Sequence, residues 1–404
     1  MTLPYERGAL LPDTAADVAK LRAAWQIIAR RQRDGTLYDF TGLQRSLELG
    51  DVEPGMLHDD FAPALVGERL TELALEHLGG VEGRDDVFVA NRLTAGIVAA
   101  MQVLVRPGDT VLGVSASYSH PVVHRAVQLA GGQLVDTVGA AGFAAHLERL
   151  EPALVVLTRL AVSYEALPAG ELAAIAAAAE RRRLPVFVDD AGGARVGPAV
   201  FDQPRTLELG AVAGATGLDK YGTTGPRLGL LAGRAELVDR IRARAIELGL
   251  EARPMLYPAV VHTLEQYDPA RVRALVAATT EVADELESRV SWVERTPVAV
   301  KLPGEGTARE TESKLLPYEA TAALAMLLLR DHGILTVHFA ALPPGTSALL
   351  LKFVPPETLA SFGGAARFAE AVESALAELA ELGDDEPALR ELLGVGHPVA
   401  ADRR

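Results

Sequence analysis

Short apolar runs rich in β-branched residues alternate with Ala- and Leu-rich segments between residues 61 and 250. The runs are too short for helices and end at turn residues, so they predict strands, whereas the longer segments between them predict helices. The predicted strands cover residues 86–90, 110–114, 133–138, 154–157, 186–189, 211–213 and 228–232, and the helices cover 94–105, 121–129, 170–182 and 236–248. This alternation predicts a mainly parallel sheet with helices on both faces, in which a ligand binds beyond the carboxyl ends of the strands.

The segments on either side of this region follow other patterns. A helix predicted over 13–34 carries an apolar stripe of Leu21, Trp25 and Ile28, and an irregular stretch rich in Gly, Asp and Pro follows over 38–63. After residue 250 the pattern changes to mixed helices and strands. We therefore expect an N-terminal helix and loop segment (1–60), a large domain (61–255), a smaller α+β domain (256–385) and a tail without a clear role in the core (386–404).

Composition excludes several classes of protein. The 404 residues include 39 Lys and Arg against 54 Asp and Glu, and the net charge of −15 argues against a protein that grips nucleic-acid phosphates. The chain has no Cys, which excludes disulfide scaffolds, thiolate nucleophiles and Cys-ligated metals. It begins without a targeting pattern, and its longest apolar stretch (320–329) is too short to cross a bilayer, so we expect a cytoplasmic enzyme without membrane contact.

Two carboxylates end the strand predicted over residues 186–189. The sequence reads VDDAGGAR at positions 188–195, so Asp189 and Asp190 lie at the ligand-binding edge, directly before a Gly-rich turn. Buried carboxylates are costly unless a cation compensates them, which indicates a site at this edge. Either carboxylate would alternatively cap the segment that follows, and the pattern alone does not choose between the two.

A lysine follows the next predicted strand. Residues 216–222 read TGLDKYG and residues 225–229 read GPRLG, which places Lys220 on a loop before a Gly-rich return strand. Taken alone, a loop lysine is most simply a solvated surface residue. Together with the strand that ends in Asp189, Lys220 becomes a candidate for the reactive amine of the site.

Two further segments supply polar groups at strand ends. Residues 91–96 read NRLTAG and open an apolar helix, whose first N–H groups and Thr94 hydroxyl would bind a phosphate, although neither a P-loop nor a GxGxxG turn is present. Residues 117–121 read SYSHP, where His120 would lie flat against an aromatic ring or transfer protons. His124 lies four residues further on, but no third ligand accompanies the pair, so no metal is expected.

These four elements, in this order, resemble those of pyridoxal phosphate enzymes of fold type I. The resemblance covers about residues 87–233 and is carried by VDDAGGAR at 188–195, by the Asp-Lys pair at 219–220 and by GPRLGLLAG at 225–233. The chain is most similar to the selenocysteine synthase (seryl-tRNA selenium transferase) branch and its archaeal-type relatives. The resemblance implies an α/β fold like that of aspartate aminotransferase, with a large, mainly parallel sheet domain and a smaller α+β C-terminal domain.

The resemblance also implies roles for individual residues. Lys220 would form a Schiff base with the aldehyde of pyridoxal 5'-phosphate and later, as a free amine, shuttle the Cα proton. Asp189 would pair with the pyridine nitrogen and hold its proton on. Leu93 and Thr94 would bind the phosphate, His120 would stack on the ring, and Ser163 would bond the phenolic oxygen. The implied cofactor-binding set is Arg92, Leu93, Thr94, His120, Ser163, Asp189, Thr216 and Lys220.

The chain departs from the family pattern in two places. The family commonly has Ser three residues before the lysine, where this chain has Gly217, so Thr216 or a partner subunit would contact the phosphate instead. Many relatives also bind the substrate carboxylate with an Arg on a late strand, where this chain offers Lys352. Arg227 or Arg253 would share that task, and Lys352 would alternatively be a strand lysine that reaches solvent.

The expected activity is that of a pyridoxal phosphate-dependent lyase or transferase. It would carry out β-elimination or β-replacement on a small amino-acid-like substrate, as a homodimer or a multiple of dimers. The acidic chain has no basic module beyond a short cluster near Arg31, so tRNA is not an expected partner. One alternative is an aminotransferase with Lys352 or Arg253 as carboxylate anchor. Another is a catalytically silent, cofactor-holding regulatory protein, which Gly217 would favour.

Overall fold

The computed structural model describes residues 3–53, 55, 57–339 and 342–396. The described chain separates into two units, one formed by Leu43–Arg273 and the other by residues 3–42 and 274–396. These limits differ from the domain boundaries expected at residues 60 and 255. Residues 3–42 belong to the same unit as the C-terminal part of the chain, and the second boundary falls inside the helix over 269–287.

Helices and strands alternate along most of the described chain. The helices are α1 (Thr14–Arg33), α2 (Phe61–Leu78), α3 (Leu93–Leu104), α4 (Pro121–Leu129), α5 (Gly139–Leu147), α6 (Ala169–Arg181), α7 (Gly193–Phe201), α8 (Ala235–Leu248), α9 (Tyr257–Glu265), α10 (Pro269–Glu287), α11 (Gly304–Glu310), α12 (Pro317–His332), α13 (Pro356–Phe362), α14 (Ala365–Leu382) and α15 (Glu386–Leu393). The strands are β1 (Tyr38–Asp39), β2 (Asp85–Ala90), β3 (Thr110–Ser115), β4 (Gln133–Val138), β5 (Leu154–Leu157), β6 (Val186–Asp189), β7 (Ala213–Gly217), β8 (Gly229–Arg234), β9 (Glu294–Thr296), β10 (Ala299–Leu302), β11 (Ile334–Leu335) and β12 (Leu349–Lys352). No helix in the described part of the chain is long and apolar enough to span a membrane.

The first unit is built on a seven-stranded sheet with the order β2-β8-β7-β6-β5-β3-β4. Strands β4, β3, β5, β6 and β7 run parallel, and β8 and β2 continue the sheet in antiparallel pairs. The central strands are buried along their whole length, and separate apolar clusters cover the two faces. The predicted α/β fold with helices on both faces of a mainly parallel sheet is therefore confirmed.

Register brings the ends of several strands together at one edge of this sheet. Asp189 pairs with Ala215, and Gly229 pairs with both Gly217 and Ala90. A Cβ at Gly229 would lie 2.7 Å from the backbone N and Cα of Leu93, so only glycine lets β8 begin directly against the start of α3. The end of β6, the end of β7 and the N-terminus of α3 thus meet at this edge.

The second unit contains an antiparallel sheet with the order β12-β10-β9 and a parallel pair of β1 and β11. Its core surrounds α12, which is buried along nearly its whole length. The expectation that the tail after residue 385 has no clear role in the core is wrong. Leu389 and Leu393 of α15 lie one turn apart and are both buried in this core. The last part of that tail, residues 397–404, lies outside the described residues.

The buried face of α1 differs from the predicted apolar stripe. Trp25 is 56% exposed, whereas Lys20 is fully buried. The Lys20 ammonium lies 3.4 Å from Asp17 Oδ1, donates to the Tyr318 hydroxyl at 3.1 Å and lies 2.9 Å from His338 Nε2. A polar network therefore holds this helix in the second unit, which apolar periodicity does not detect.

Candidate active site

The two adjacent carboxylates at the end of β6 have different environments. The Asp190 carboxylate accepts two hydrogen bonds from the Arg159 guanidinium, at 3.1 and 2.5 Å, and one from the Thr206 hydroxyl at 2.7 Å. All three side chains are buried. Asp190 is thus part of a satisfied internal ion pair, and its carboxylate does not cap α7, whose N-cap residue is Gly192.

Asp189 has no such support. Its Oδ1 atom is buried without a hydrogen-bond partner among the residues that the structure describes. Burial and the neighbouring Asp190 charge together raise the pKa of the Asp189 carboxyl to about 7, although the Lys220 ammonium acts against both. A buried carboxylate without a partner is suited to a ligand that brings a cationic N–H group. This environment fits the protonated pyridine nitrogen of pyridoxal phosphate.

Lys220 lies just beyond the end of β7, and an ion pair holds its amine. The Nζ atom donates to Asp219 Oδ1 at 2.9 Å, and Arg45 Nε donates to the other oxygen, Oδ2, at 2.8 Å. Burial would raise the pKa of Asp219, but the positive charges of Lys220 and Arg45 outweigh it and hold that pKa well below its usual range. Asp219 therefore stays ionised and anchors Lys220.

Sequence reasoning did not find the roles of Asp219 and Arg45. Asp219 stands directly before Lys220, so its position was a usable signal. No local sequence pattern pointed to Arg45, because a long-range backbone pairing brings it to the site. In this pairing the Ser46 N–H donates to the Gly225 carbonyl, and the Gly225 N–H donates to the Gln44 carbonyl. The irregular stretch predicted over 38–63 thus has its residues 44–46 docked beside the lysine loop.

Gly217 is explained by the position of the lysine amine. A Cβ at this position would lie 2.5 Å from Lys220 Nζ and 3.0 Å from Asp219 Oδ1. The neighbouring Thr216 is fully buried, and its hydroxyl donates to the Ala191 carbonyl at 3.1 Å. The structure therefore does not present Thr216 as a phosphate ligand, because its only proton is used inside the protein.

The N-terminus of α3 has the features of an anion site. Its N-cap residue, Arg92, is exposed and forms no side-chain cap, and the first two helical residues, Leu93 and Thr94, are half-buried. The first N–H groups of a helix have no partners within the helix and carry the positive end of its dipole. Together with the Arg92 guanidinium, this end of α3 fits a phosphate group.

His120 begins α4 at the end of the loop that follows β3. Its Nδ1 accepts a hydrogen bond from the Val122 N–H at 3.1 Å, so the neutral ring carries its proton on Nε2. Burial, with the nearby charges of Lys220 and Arg125, lowers the pKa of His120 to about 4. At neutral pH the ring is therefore uncharged, as an imidazole that packs on an aromatic ring requires.

The second histidine of this region has a structural partner. His124 Nε2 lies 2.8 Å from Asp136 Oδ2. Among the described residues, no group of three or more His, Asp or Glu side chains is arranged to hold a metal ion. His124 thus has a local hydrogen-bond partner, the carboxylate of β4.

Ser163 and Tyr164 follow β5 and contact two different loops. Ser163 Oγ lies 2.5 Å from the Ser117 hydroxyl, in the loop that precedes His120. The Tyr164 hydroxyl lies 2.6 Å from the hydroxyl of Tyr221, the residue after Lys220. The turn after β5 therefore links the histidine loop to the lysine loop, and sequence reasoning did not identify the two tyrosines.

The three candidate substrate anchors lie in different places. Arg227 is exposed, and partial burial together with the charges of Arg45 and Arg92 lowers its pKa to about 10. Arg253 is exposed and forms an ion pair with Asp59 at 2.5 Å. The structure brings Arg227, but not Arg253, into the cationic group around the lysine loop.

Lys352 lies in the second unit and is fully buried. Its Nζ donates to the Thr41 carbonyl at 2.9 Å. The alternative of a strand lysine that reaches solvent is therefore wrong, because a backbone carbonyl binds the ammonium in the interior.

The chain is similar to several known proteins. No family model matches the chain. A UPF0425 pyridoxal phosphate-dependent protein of Methanothermobacter thermautotrophicus is 31% identical over 345 residues, which cover 84% of this chain and 88% of that protein. The solved structure of alanine–glyoxylate aminotransferase from Nostoc has a TM-score of 0.58 at 15% identity, covering 84% of this chain and 95% of that one. A SepCysS–SepCysE N-terminal domain complex gives a TM-score of 0.57 at 13% identity, covering 85% and 95%.

The structural neighbours establish the fold, which is fold type I, like that of the aminotransferases. The sequence relative establishes more, because its similarity extends over most of both chains. With a lysine, an unpartnered buried carboxylate and an uncapped helix N-terminus at one sheet edge, the chain belongs to the UPF0425 family of pyridoxal phosphate-dependent proteins.

Proposed function

We propose that this protein is an enzyme that breaks or exchanges a bond at the β-carbon of a small amino-acid-like substrate, with pyridoxal phosphate held on Lys220. The observation that carries the proposal is the contrast between Asp189 and Asp190. Among the described residues, Asp189 Oδ1 is a buried carboxylate oxygen without a partner near an amine, and a bound cationic group would stabilise the ionised carboxylate at neutral pH.

When bound, pyridoxal phosphate supplies an electron sink for the electrons released when a bond at the substrate Cα breaks. Asp189 would keep a proton on the pyridine nitrogen, which strengthens that sink. The α3 N–H groups of Leu93 and Thr94, with Arg92, would hold the phosphate. Lys220 would accept and return the proton at the substrate Cα.

The remaining site residues would orient the group. The neutral His120 ring would pack against one face of the pyridine ring. Ser163 would donate a hydrogen bond to the phenolic oxygen, and its 2.5 Å contact with Ser117 fixes where its hydroxyl lies. Neither residue needs a charge for these tasks, in keeping with the low pKa of His120.

Arg227 is our proposed carboxylate anchor for the substrate. It is exposed beside the lysine loop, and its neighbours Arg45 and Arg92 add positive charge that attracts an anion. An aminotransferase anchored by Arg253 or Lys352 is less well supported, because Arg253 pairs with Asp59 away from the lysine loop and Lys352 is fully buried in the second unit. Arg31, the centre of the short basic cluster in the sequence, donates to the Arg330 carbonyl, so we do not propose a tRNA substrate.

The silent-protein alternative loses its main support. It rested on Gly217, and the absence of a side chain there makes room for the Lys220 amine. An intact lysine and an unpartnered Asp189 favour catalysis over simple retention of the cofactor.

Product analysis tests the reaction class. The protein loaded with pyridoxal phosphate is incubated with single amino acids that carry a leaving group at the β-carbon. We expect a keto acid and ammonia, or a β-substituted product when a thiol is added, with the cofactor unchanged. Accumulation of the pyridoxamine form would instead identify an aminotransferase, and the absence of any product across the panel would favour the silent protein. Asp189→Asn serves as the control, since it should retain the cofactor and lose turnover.

We also propose that the enzyme works as a homodimer or a multiple of dimers. In the fold type I enzymes that the sequence resembles, the site lies where two subunits meet. Light scattering gives the assembly state, and cofactor affinity is measured across the same protein concentrations. Equal affinity in monomer and dimer would contradict this part of the proposal.

A further inference from the structure

Lys220 is followed by a residue in an unfavourable backbone conformation. Tyr221 has φ of 37°, in the left-handed region that bulky side chains avoid. Tyr164, which lies in the turn after β5, has φ of 68°. The two strained residues meet directly, since their hydroxyl groups are 2.6 Å apart. Such conformations persist only where surrounding contacts enforce them, and they cluster at functional sites.

The Tyr221 ring is fitted to its place. A Cβ at Gly192 would lie 2.1 Å from Tyr221 Cε2, so the ring occupies the space that any other residue at 192 would need. Gly192 stands three residues after Asp189, in the Gly-rich turn. The aromatic ring beside the lysine therefore packs on the backbone that follows the unpartnered carboxylate.

Other contacts fix the backbone on each side of the lysine. The Thr223 hydroxyl lies 2.8 Å from both the Leu218 and the Lys220 carbonyl oxygens. The buried Arg195 guanidinium donates to the Gly217 carbonyl at 2.8 Å. Between these two anchors, the hydrogen bond between the Tyr164 and Tyr221 hydroxyls connects the lysine loop to the turn that follows β5.

That connection crosses the sheet. Strand β6, with Asp189 at its end, lies between β5 and β7. Tyr164 is held in its turn by a hydrogen bond from its N–H to the Ala161 carbonyl at 2.9 Å. The hydrogen bond between the Tyr164 and Tyr221 phenols thus joins the loops that follow β5 and β7, on either side of the strand that ends in Asp189. It fixes the distance between the Ser163 turn and the Lys220 loop.

We propose that Tyr164 is a positioning residue for Lys220, acting through Tyr221 as a clamp that holds the lysine loop in its strained conformation. The inference rests on the proposed function, since it assigns a task to the clamp in the chemistry of Lys220. Burial and the Asp219 charge raise the pKa values of Tyr164 and Tyr221 well above the usual value of a phenol, so both phenols stay protonated. The bond is therefore a hydrogen bond between neutral groups at any working pH.

The test compares Tyr164→Phe with Tyr257→Phe. The second variant removes a half-buried phenol of the same unit, whose charged neighbours are Arg242 and Glu251 rather than Asp219. Hydrogen exchange of the cofactor-free protein should be faster in residues 217–223 of Tyr164→Phe and unchanged there in Tyr257→Phe. Unchanged exchange in both variants would overturn the clamp, whatever the cofactor does.

A second measurement uses the loaded protein. The visible band of the lysine-bound cofactor is titrated with pH, and the rate of cofactor capture is followed by absorbance. Tyr164→Phe should shift the pH midpoint and slow capture by about tenfold, with KM for the substrate nearly unchanged while kcat falls. A midpoint and capture rate equal to those of the wild type would show that the pair only packs the interior. If the wild type captures no cofactor at Lys220, the proposed function fails, while the exchange result still decides the clamp.

Discussion

Asp189 and Asp190 are consecutive carboxylates of one strand end, and the protein satisfies only the second. Asp190 is bound by Arg159 and Thr206, whereas Oδ1 of Asp189 has no partner among the described residues. The expected cost of an unpaired buried carboxylate is several kcal/mol. The unpaired Asp189 carboxylate lies near Lys220 despite this cost. Its position there is the strongest sign that a cationic ligand completes the site.

This contrast predicts the pH dependence of the cofactor-free protein. Asp189 has a pKa of about 7 when folded, against about 3.9 in an unfolded chain, so the folded state binds more protons between these values. Its contribution to stability is present below about pH 4 and is lost as the pH rises through 7. Asp189→Asn should therefore be more stable than the wild type at pH 8, by about 1–4 kcal/mol, and equally stable at pH 4. Denaturant unfolding at both pH values measures the difference.

With the cofactor present, we expect Asp189→Asn to lose the stability advantage that it has over the wild type at pH 8. Asp189→Asn lacks the charge that holds the pyridine proton, so added pyridoxal phosphate should stabilise it less than the wild type, and turnover should fall about 100-fold or more. Thermal unfolding with and without the cofactor gives the first comparison. Wild-type turnover in the variant would show that the wrong carboxylate was chosen.

Asp190→Asn should damage the fold rather than the chemistry. The substitution leaves the buried Arg159 guanidinium without its carboxylate, and breaking a buried pair in this way costs about 3–5 kcal/mol. We expect a lower unfolding midpoint with the visible band of any folded protein intact. Loss of the band without loss of stability would reverse the assignments of Asp189 and Asp190.

How much of the fold was predictable from the sequence depends on the range of the interactions. Strands β4, β5 and β6 match the predicted limits, because short runs rich in β-branched residues and bounded by turns are local signals. Helix α7 was not predicted, because Gly192 is its N-cap, Gly193 is its first residue and Pro198 lies inside it, and both residue types disfavour helices. The sequence could not show which of Asp189 and Asp190 binds the cofactor. The answer depends on the pairing of Asp190 with Arg159, which lies thirty-one residues away in the sequence.

The site shows the same division. Lys220, Asp189 and His120 stand at strand ends, so their positions follow from the strand pattern alone. Arg45 and Tyr164 reach the lysine loop through tertiary contacts that leave no trace in local sequence. The expectation that Thr216 contacts the phosphate stays a prediction. In the structure its hydroxyl donates to the Ala191 carbonyl, because a short polar side chain at the end of a buried strand readily bonds to the backbone.

Two glycines offer a matched pair of variants. In Gly217→Ala the new methyl group meets the end of the flexible Lys220 side chain, so stability should change little while cofactor capture slows about 10- to 100-fold. In Gly229→Ala it meets the backbone of Leu93 at 2.7 Å, which should lower stability by about 1–3 kcal/mol. Unfolding midpoints and capture rates of both proteins separate the effects. Equal losses of stability in the two variants would contradict this explanation of Gly217.

Asp219→Asn removes the anion that holds the Lys220 ammonium. The neutral amine, which is the form that attacks an aldehyde, is then favoured, and Arg45 is left without its carboxylate. Capture of pyridoxal phosphate should therefore reach its maximal rate at a lower pH than in the wild type. Stopped-flow absorbance between about pH 6 and 10 measures the profile, with Asp59→Asn as a control for a carboxylate that pairs with Arg253 instead. A profile shifted to higher pH would contradict the anchoring role of Asp219.

The central claim is that Lys220 carries pyridoxal phosphate, and borohydride trapping tests it most directly. The protein is mixed with the cofactor, reduced and digested, and the modified peptide is mapped by mass spectrometry beside Lys220→Ala. We predict a visible band in the wild type, a single reduced adduct on Lys220, and neither in the variant. No band in the wild type, or the same adduct in Lys220→Ala, would contradict the claim.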